Sequence, residues 1–306
     1  MFRLEAPYHQ SLIRDYLSCP QALMLRLEGV EPLFRPLGLA RGAAVHNAIR
    51  ALHAEQAWSR WSAVFDRAWN AEFSSPGPPI NAMPEEIDRE YDSWRTVFGN
   101  YVQRERDTEV LFTELPVRGI VVSRSGREYE VAGTLDQIRS SQEPGGYDLY
   151  ELKSSATLPG RASLERNVQL CLYAWCCVTG EARVNGQWQP ARRILPGFLR
   201  RCVCYKLVSL MPYKRAGRRA DGTRYAAGDL RGDPLVPIAV TSDRLVEGAR
   251  GIARIIAAIR AGGFYWNPSS LYGGCDACPY KYACGNNFSS NSQAKSDVPE
   301  PVRATA

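Results

Sequence analysis

Apolar residues in the first third of the chain recur at helical spacing, and the breaks in that pattern fall where local chemistry explains them. "SLIRDYLSCPQALMLRLEG" (Ser11–Gly29) carries apolar positions three and four apart, a proline in the middle and a glycine at the end. This predicts a helix broken around Pro20, which lacks an N–H, and ended by Gly29, which tolerates a left-handed turn. "GLARGAAVHNAIRALHAE" (Gly38–Glu55) predicts a second, alanine-rich helix, and "AWSRWSAVFDRAWNAEF" (Ala57–Phe73) continues the helical region. "SSPGPPINAMP" (Ser74–Pro84) is dense in breakers and predicts a loop, after which "EIDREYDSWRTVFGNYVQRER" (Glu86–Arg106) returns to helix.

The period then changes. "EVLFTELPVRGIVV", "REYEVAGTLDQIRS" and "GYDLYELKSS" read as three strands, separated by the turn sequences "SRSG" and "SQEPGG", and predict an antiparallel meander. "SLERNVQLCLYAWCCVTG" (Ser163–Gly180) is a strongly apolar helix, "GFLRRCVCYKLVSL" a further strand, and "DRLVEGARGIARIIAAIRAGG" (Asp243–Gly263) a last helix. A polar tail after Gly285 predicts disorder over 286–306. No internal repeat is present. The expected organisation is one α/β domain over 1–285: a mainly helical part (1–106), a core (107–240), and a C-terminal helix with a cysteine group (241–285).

Composition narrows the function classes. At 45% hydrophobic and 23% charged residues, the 306-residue chain can bury a sizeable core. No apolar run approaches the roughly 20 residues of a membrane span, and the first residues lack the pattern of a signal peptide, so the expected location is cytoplasmic. The net charge of +6 and pI near 8.8 are compatible with a polyanionic partner. The basic character concentrates in "MPYKRAGRRADGTRY", where Lys214, Arg215, Arg218, Arg219 and Arg224 face one acid, Asp221. Nine cysteines, an odd number, argue against a disulfide framework.

Three of those cysteines stand in "GGCDACPYKYACGN" as Cys275-x2-Cys278-x5-Cys284, a spacing suited to zinc or to iron–sulfur. Both groups normally take four protein ligands. Cys19, beside a proline at the break in the first helix, is the expected fourth; it would tie both ends of the chain together. Cys171, Cys176, Cys177, Cys202 and Cys204 lie in apolar segments and read as small buried hydrophobes.

A second group is ionic. Asp136 in "VAGTLDQI" precedes Glu151-x-Lys153 in "YDLYELKSSA". Two carboxylates on adjacent strands can hold a divalent cation, and a nearby lysine can orient an attacking water or stabilise growing charge. The same residues could instead form a buried ion-pair network. Gln169 and Tyr173 share a face of the following helix, His46 lies on the alanine-rich helix, and Glu114 lies on the strand before Asp136.

The ordered set "RGAAVH", "TELPV", "GTLDQI", "YELKSS" and "NVQLCLYAW" resembles the RecB-like branch of the PD-(D/E)XK nuclease superfamily. With Cys19 and the C-terminal trio it is similar to the iron–sulfur members, which include the CRISPR-associated RecB-like exonucleases and the AddB nuclease domain. The resemblance implies a restriction-endonuclease-like α/β core, a small mixed sheet flanked by helices, with a helical N-terminal elaboration and an iron–sulfur staple joining the chain ends. It implies metal ligation of Mg2+ or Mn2+ by His46, Asp136, Glu151 and the Leu152 carbonyl. Lys153 would serve the attacking water, Gln169 and Tyr173 would sit beside the site, and Glu114 would occupy a supporting acidic position. Cys19, Cys275, Cys278 and Cys284 would bind a [4Fe–4S] cluster. Leu135 stands where the superfamily's motif has proline.

The expected function is a metal-dependent DNA nuclease, acting as an exonuclease, in repair or recombination, CRISPR adaptation or phage DNA processing. The alternative is a catalytically silent DNA-binding scaffold of the same fold. The expected partners are DNA, single-stranded or with free ends, and a helicase, integrase or other nucleoprotein complex, with no membrane. Lys214, Arg215, Arg218 and Arg219 are the candidate backbone contacts, since cations can neutralise phosphates without reading sequence.

Overall fold

The computed structural model describes residues 5–141, 143–155, 164–265, 267, 274–275 and 277–284. Strand β1 (Tyr8–His9) leads into α1 (Gln10–Ser18) and α2 (Pro20–Leu27), which meet at Cys19; Pro20 is the first residue of α2, and Gly29 follows it with φ 78°. The helical part continues through β2 (Arg35–Pro36), α3 (Leu37–Glu55), a 3₁₀ turn (Trp58–Arg60), α4 (Trp61–Phe73), β3 (Ile80–Asn81) and α5 (Pro84–Glu105). The breaker-rich segment before α5 is a loop apart from β3, which pairs in parallel with β2.

The meander follows as β4 (Val110–Val122), β5 (Glu128–Ser140) and β6 (Gly146–Lys153), antiparallel throughout. Then come α6 (Val168–Thr179), the hairpin β7 (Glu181–Val184) and β8 (Gln187–Pro190), α7 (Ala191–Ile194), and β9 (Phe198–Lys206) with a closing 3₁₀ turn (Leu207–Leu210). A two-residue ladder, β10 (Gly217–Arg218) with β11 (Arg224–Tyr225), precedes β12 (Leu235–Ala239) and α8 (Ser242–Arg260). Asn167 caps α6 by accepting from the Leu170 N–H, so that helix starts later than its apolar pattern suggests. The expectations for Ser163 and for the tail 286–306 lie outside the described residues.

The main sheet is mixed, in the order β12-β9-β6-β5-β4-β7-β8, with β1 added in parallel to β5. Strands β6 and β9 run parallel at its centre. The chain is therefore α/β, with a central mixed sheet flanked by helices. Because β6 is covered on both faces, its residues alternate between two cores rather than between core and solvent. Leu149 joins Ile13, Leu172, Cys176, Cys202, Ile252 and Ile256 beneath α1, α6 and α8. Tyr150 and Leu152 point the other way, to Leu52, Phe65, Phe98, Tyr101, Val203 and Tyr205 beneath α3–α5. Cys176, Cys177, Cys202 and Cys204 are buried in the first core, as small hydrophobes should be.

One polar network crosses the second core. Arg139 ion-pairs with Glu105 and donates to the Gln137 Oε1 at 2.7 and 2.9 Å; Tyr205 donates to Glu105 at 2.6 Å, and Gln137 to Tyr101 at 3.0 Å. The Arg139 guanidinium also lies over the Tyr150 ring, 4.1 Å from its centre. This network fastens α5 to the sheet, and every charge in it has a partner. Removing one member would strand the other, a loss of about 3–5 kcal/mol for a buried pair.

The two ends of the described chain are joined. Tyr16 donates to the Gly263 carbonyl at 2.7 Å, Asn267 to the Ser18 carbonyl at 3.0 Å, and the Leu33 N–H to the Pro279 carbonyl at 3.0 Å. Among the described residues, no helix is long and apolar enough to cross a membrane.

Candidate active site

Three neighbouring strands carry the acidic groups. The pairing of β5 with β6 ends at Gln137↔Tyr150, which sets Asp136 and Glu151 side by side one step beyond. The pairing of β4 with β5 runs Thr113↔Gln137 and Leu115↔Leu135, which sets Glu114 beside Asp136. Glu114 has φ 51°, a left-handed conformation that non-glycine residues rarely adopt and that functional sites tend to retain. At the same point Val131, Leu135 and Ile138 all enter one core, so the strand alternation changes phase around Asp136.

The contacts are specific. Asp136 Oδ2 accepts the Leu152 N–H at 2.7 Å, and its Oδ1 lies 3.4 Å from His46 Nδ1. Glu151 is only 2% exposed; its Oε1 accepts from Lys153 Nζ at 2.6 Å, and its Oε2 has no hydrogen-bond partner among the described residues. Lys153 Nζ also donates to Gln169 Oε1 at 2.8 Å, and Gln169 Nε2 donates to the Tyr173 hydroxyl at 3.3 Å. The Tyr173 ring reaches the sheet because residue 133 is glycine: a Cβ there would stand 2.5 Å from Tyr173 Cε1. Among the described residues, His46, Glu114 and Asp136 form a group whose candidate ligand atoms all lie within 4.8 Å of one another.

The electrostatics follow from crowding carboxylates in a buried place. Burial, then repulsion from Asp136, pushes the Glu151 carboxyl up to about 7 against the pull of Lys153. Burial and Asp136 likewise raise Glu114, with His46 and Arg50 opposing. Burial alone would lower His46, but Asp136, Glu151 and Glu114 outweigh it and its pKa is raised. Lys153 behaves the same way: burial lowers it, Glu151 more than compensates, and the ammonium is held above its ordinary value. Three carboxylates thus face one lysine and one histidine, an arrangement that a cation would relieve.

Helix α3 crosses this site along one face. Gly42, His46 and Arg50 are spaced by four. A Cβ at Gly42 would stand 3.1 Å from the Ser154 Oγ just past β6, His46 meets Asp136 on β5, and Arg50 is close enough to influence Glu114 on β4.

The structure brings together His46, Asp136, Glu151, Leu152, Lys153, Gln169 and Tyr173, and draws Glu114 closer than a supporting place implied. Among the described residues, the hydrogen bonds and ion pairs of this site include none from the cysteine or basic groups. Cys19, Cys275, Cys278 and Cys284 lie elsewhere, where burial raises the Cys278 thiol and Cys19, Cys275 and Cys284 raise it further. Among the described residues, those four sulfurs make no group of three within 4.8 Å, so they do not form a compact ligand set. In the basic segment Lys214, Arg215, Arg218 and Arg224 are exposed, whereas Arg219 donates to the Leu230 carbonyl at 3.0 Å and lies over Tyr213. Arg219 therefore braces the segment rather than facing outward. Sequence reasoning passed over Arg41 and Arg50; for Arg50 the helical phase with His46 was the available signal.

The sequence pattern described as the PD-(D/E)XK nuclease superfamily matches residues 10–285. No curated protein matches the sequence. Among solved structures, the crystal structure of SSO0001 is similar over 90% of this chain and 95% of that chain, at 12% identity and a TM-score of 0.33. That likeness is too loose to place any residue.

Proposed function

The chain belongs to the PD-(D/E)XK nuclease superfamily, and from that premise we propose that it is a metal-dependent deoxyribonuclease working as an exonuclease on single strands or free ends. Repair or recombination, CRISPR adaptation and phage DNA processing are the settings that use such an activity, alongside a helicase, an integrase or another nucleoprotein complex. Superfamily members use divalent cations such as Mg2+ or Mn2+ and act on nucleic acid. The observation that carries the reading is Glu151: a buried carboxylate beside Asp136 with one oxygen left without a hydrogen-bond partner among the described residues.

The donor set fits a hard divalent cation, because it offers carboxylate oxygens and one imidazole. His46, Asp136, Glu151 and the Leu152 carbonyl would hold it, with Glu114 within reach of the same group. The bound ion would neutralise phosphate charge and lower the pKa of water. Lys153, its proton held firmly by Glu151, acts as a cationic donor that orients water and steadies the phosphate oxygens; it is a poor base. Gln169 and Tyr173 fix the direction of that ammonium. His46 fixes the Asp136 carboxylate. The products carry a 5′-phosphate and a 3′-hydroxyl.

Cys19, Cys275, Cys278 and Cys284 are proposed to hold a [4Fe–4S] cluster. What supports one shared group at these sulfurs is that Cys19, Cys275 and Cys284 all lie near enough to Cys278 to act on its thiol. Lys214, Arg215 and Arg218 are proposed to contact the DNA backbone, with Arg219 in a bracing role. Residues 1–285 are taken as one nuclease domain.

The test is cleavage of end-labelled single- and double-stranded DNA with Mg2+ or Mn2+ by the wild type, Asp136→Ala and Lys153→Ala. Cleavage by the wild type alone is the expected result. Full activity in either variant, with both folded, would remove the catalytic assignment.

A further inference from the structure

Strand β6 loses its ladder on one side just where it becomes chemically important. Its pairing with β9 continues to Lys153↔Lys206, but its pairing with β5 stops at Tyr150. Along that open edge, two side chains take over from backbone groups. Asp136 accepts the Leu152 N–H, and Arg41 Nη2 donates to the Ser154 carbonyl at 3.3 Å.

Arg41 is unusually well fixed for this task. Its Nη1 donates to Glu90 Oε2 at 2.9 Å, and Trp94 Nε1 donates to the same oxygen at 3.0 Å. The guanidinium lies over the Trp94 ring, 5.0 Å from its centre, and Trp94 is 2% exposed. The planar fork thus has one branch held by α5 and the other aimed at the residue after Lys153. Gly42 lets α3 approach closely enough for that reach, since a Cβ there would press on the Ser154 Oγ.

We propose that Arg41, held by Glu90 and Trp94, is a positioning residue that substitutes for the missing ladder bond at the end of β6 and thereby fixes Glu151 and Lys153 in register with Asp136. This rests on the nuclease reading for its kinetic consequence, though not for its structural one. An ammonium in place of the guanidinium keeps the charge but cannot hold Glu90 and the carbonyl in one plane, so Arg41→Lys should recover only part of what Arg41→Gln forfeits.

The experiment measures two things on the full chain for Arg41→Gln, Arg41→Lys and Lys153→Ala. Hydrogen exchange at the amides of residues 152–155 should rise at least about tenfold in Arg41→Gln, while the β4–β5 amides stay as in the wild type. DNA cleavage should show kcat lower by about 10- to 100-fold, the range for a misplaced catalytic group, with KM within about twofold. Arg41→Lys should fall between. Unchanged exchange at 152–155, or a change in KM with kcat intact, would overturn the positioning role. Should wild type and Lys153→Ala cleave DNA equally, the nuclease reading fails, and the exchange result alone decides Arg41.

Discussion

Replacing Glu151 with glutamine should stabilise the cation-free protein at high pH and leave it unchanged at low pH. The unfolded carboxyl titrates near 4.5, whereas in the folded chain burial and Asp136 push it up to about 7. A raised carboxyl pKa means that the folded state binds the proton more tightly, so stability is full below 4.5 and declines as pH rises through 7. The span of about 2.5 units corresponds to roughly 3 kcal/mol above pH 7. Glutamine has nearly the same shape and carries no charge to bury. At pH 8.5 and in EDTA, Glu151→Gln should therefore melt higher by roughly 5–10 °C, and at pH 4 the two melting curves should coincide. Added Mg2+ or Mn2+ should raise the wild type by favouring the ionised carboxylate, and the variant much less. Scanning calorimetry at several pH values, with and without cation, measures each of these shifts. A variant that melts lower than the wild type at pH 8.5, or a difference that does not change with pH, would refute the argument that this site is a strained carboxylate cluster.

Cys278→Ser should lose iron and thermal stability together, because the proposed cluster shares its anchorage with the joined chain ends; a purified variant with wild-type iron content would dismiss the cluster. Replacing Lys214 and Arg215 with glutamine should weaken DNA binding and reduce the steepness of its dependence on salt by roughly one unit for each phosphate that is no longer neutralised. An unchanged slope would take this segment off the DNA path. Arg219→Ala should behave differently, loosening the segment around Leu230 with little change in the slope if its only task is bracing.

The elements that were legible in the sequence are those with a strong local period. The helix broken at Pro20, the alanine-rich helix and the three-strand meander lie within a residue or two of their expected bounds. What escaped has little local signal. Strands β7, β8 and β12 are four or five residues long and follow loops, and β1 acquires its identity only by pairing with β5 across more than a hundred residues. Glu151 and Lys153 could be singled out because charges inside an apolar strand are costly unless something uses them. Arg139 met the same condition and was overlooked, because its partner Glu105, at the end of α5, is brought to it only by tertiary packing. Nor does any pattern in "TELPV" announce that Glu114 turns left-handed, or that Arg41 reaches the end of β6, since both facts depend on three-dimensional packing.

The joined chain ends bear on the order in which the molecule can be made. Tyr16 and Ser18 find their partners 247 and 249 residues later. At a synthesis rate of about 5–20 residues per second, helices α1 and α2 spend roughly 12–50 seconds outside the ribosome before those partners exist. During that interval the apolar side chains of α1, Ile13 and Tyr16 among them, have no α8 to pack against. The newborn chain must shelter them by provisional packing or by a chaperone until α8, Gly263 and Asn267 have been made.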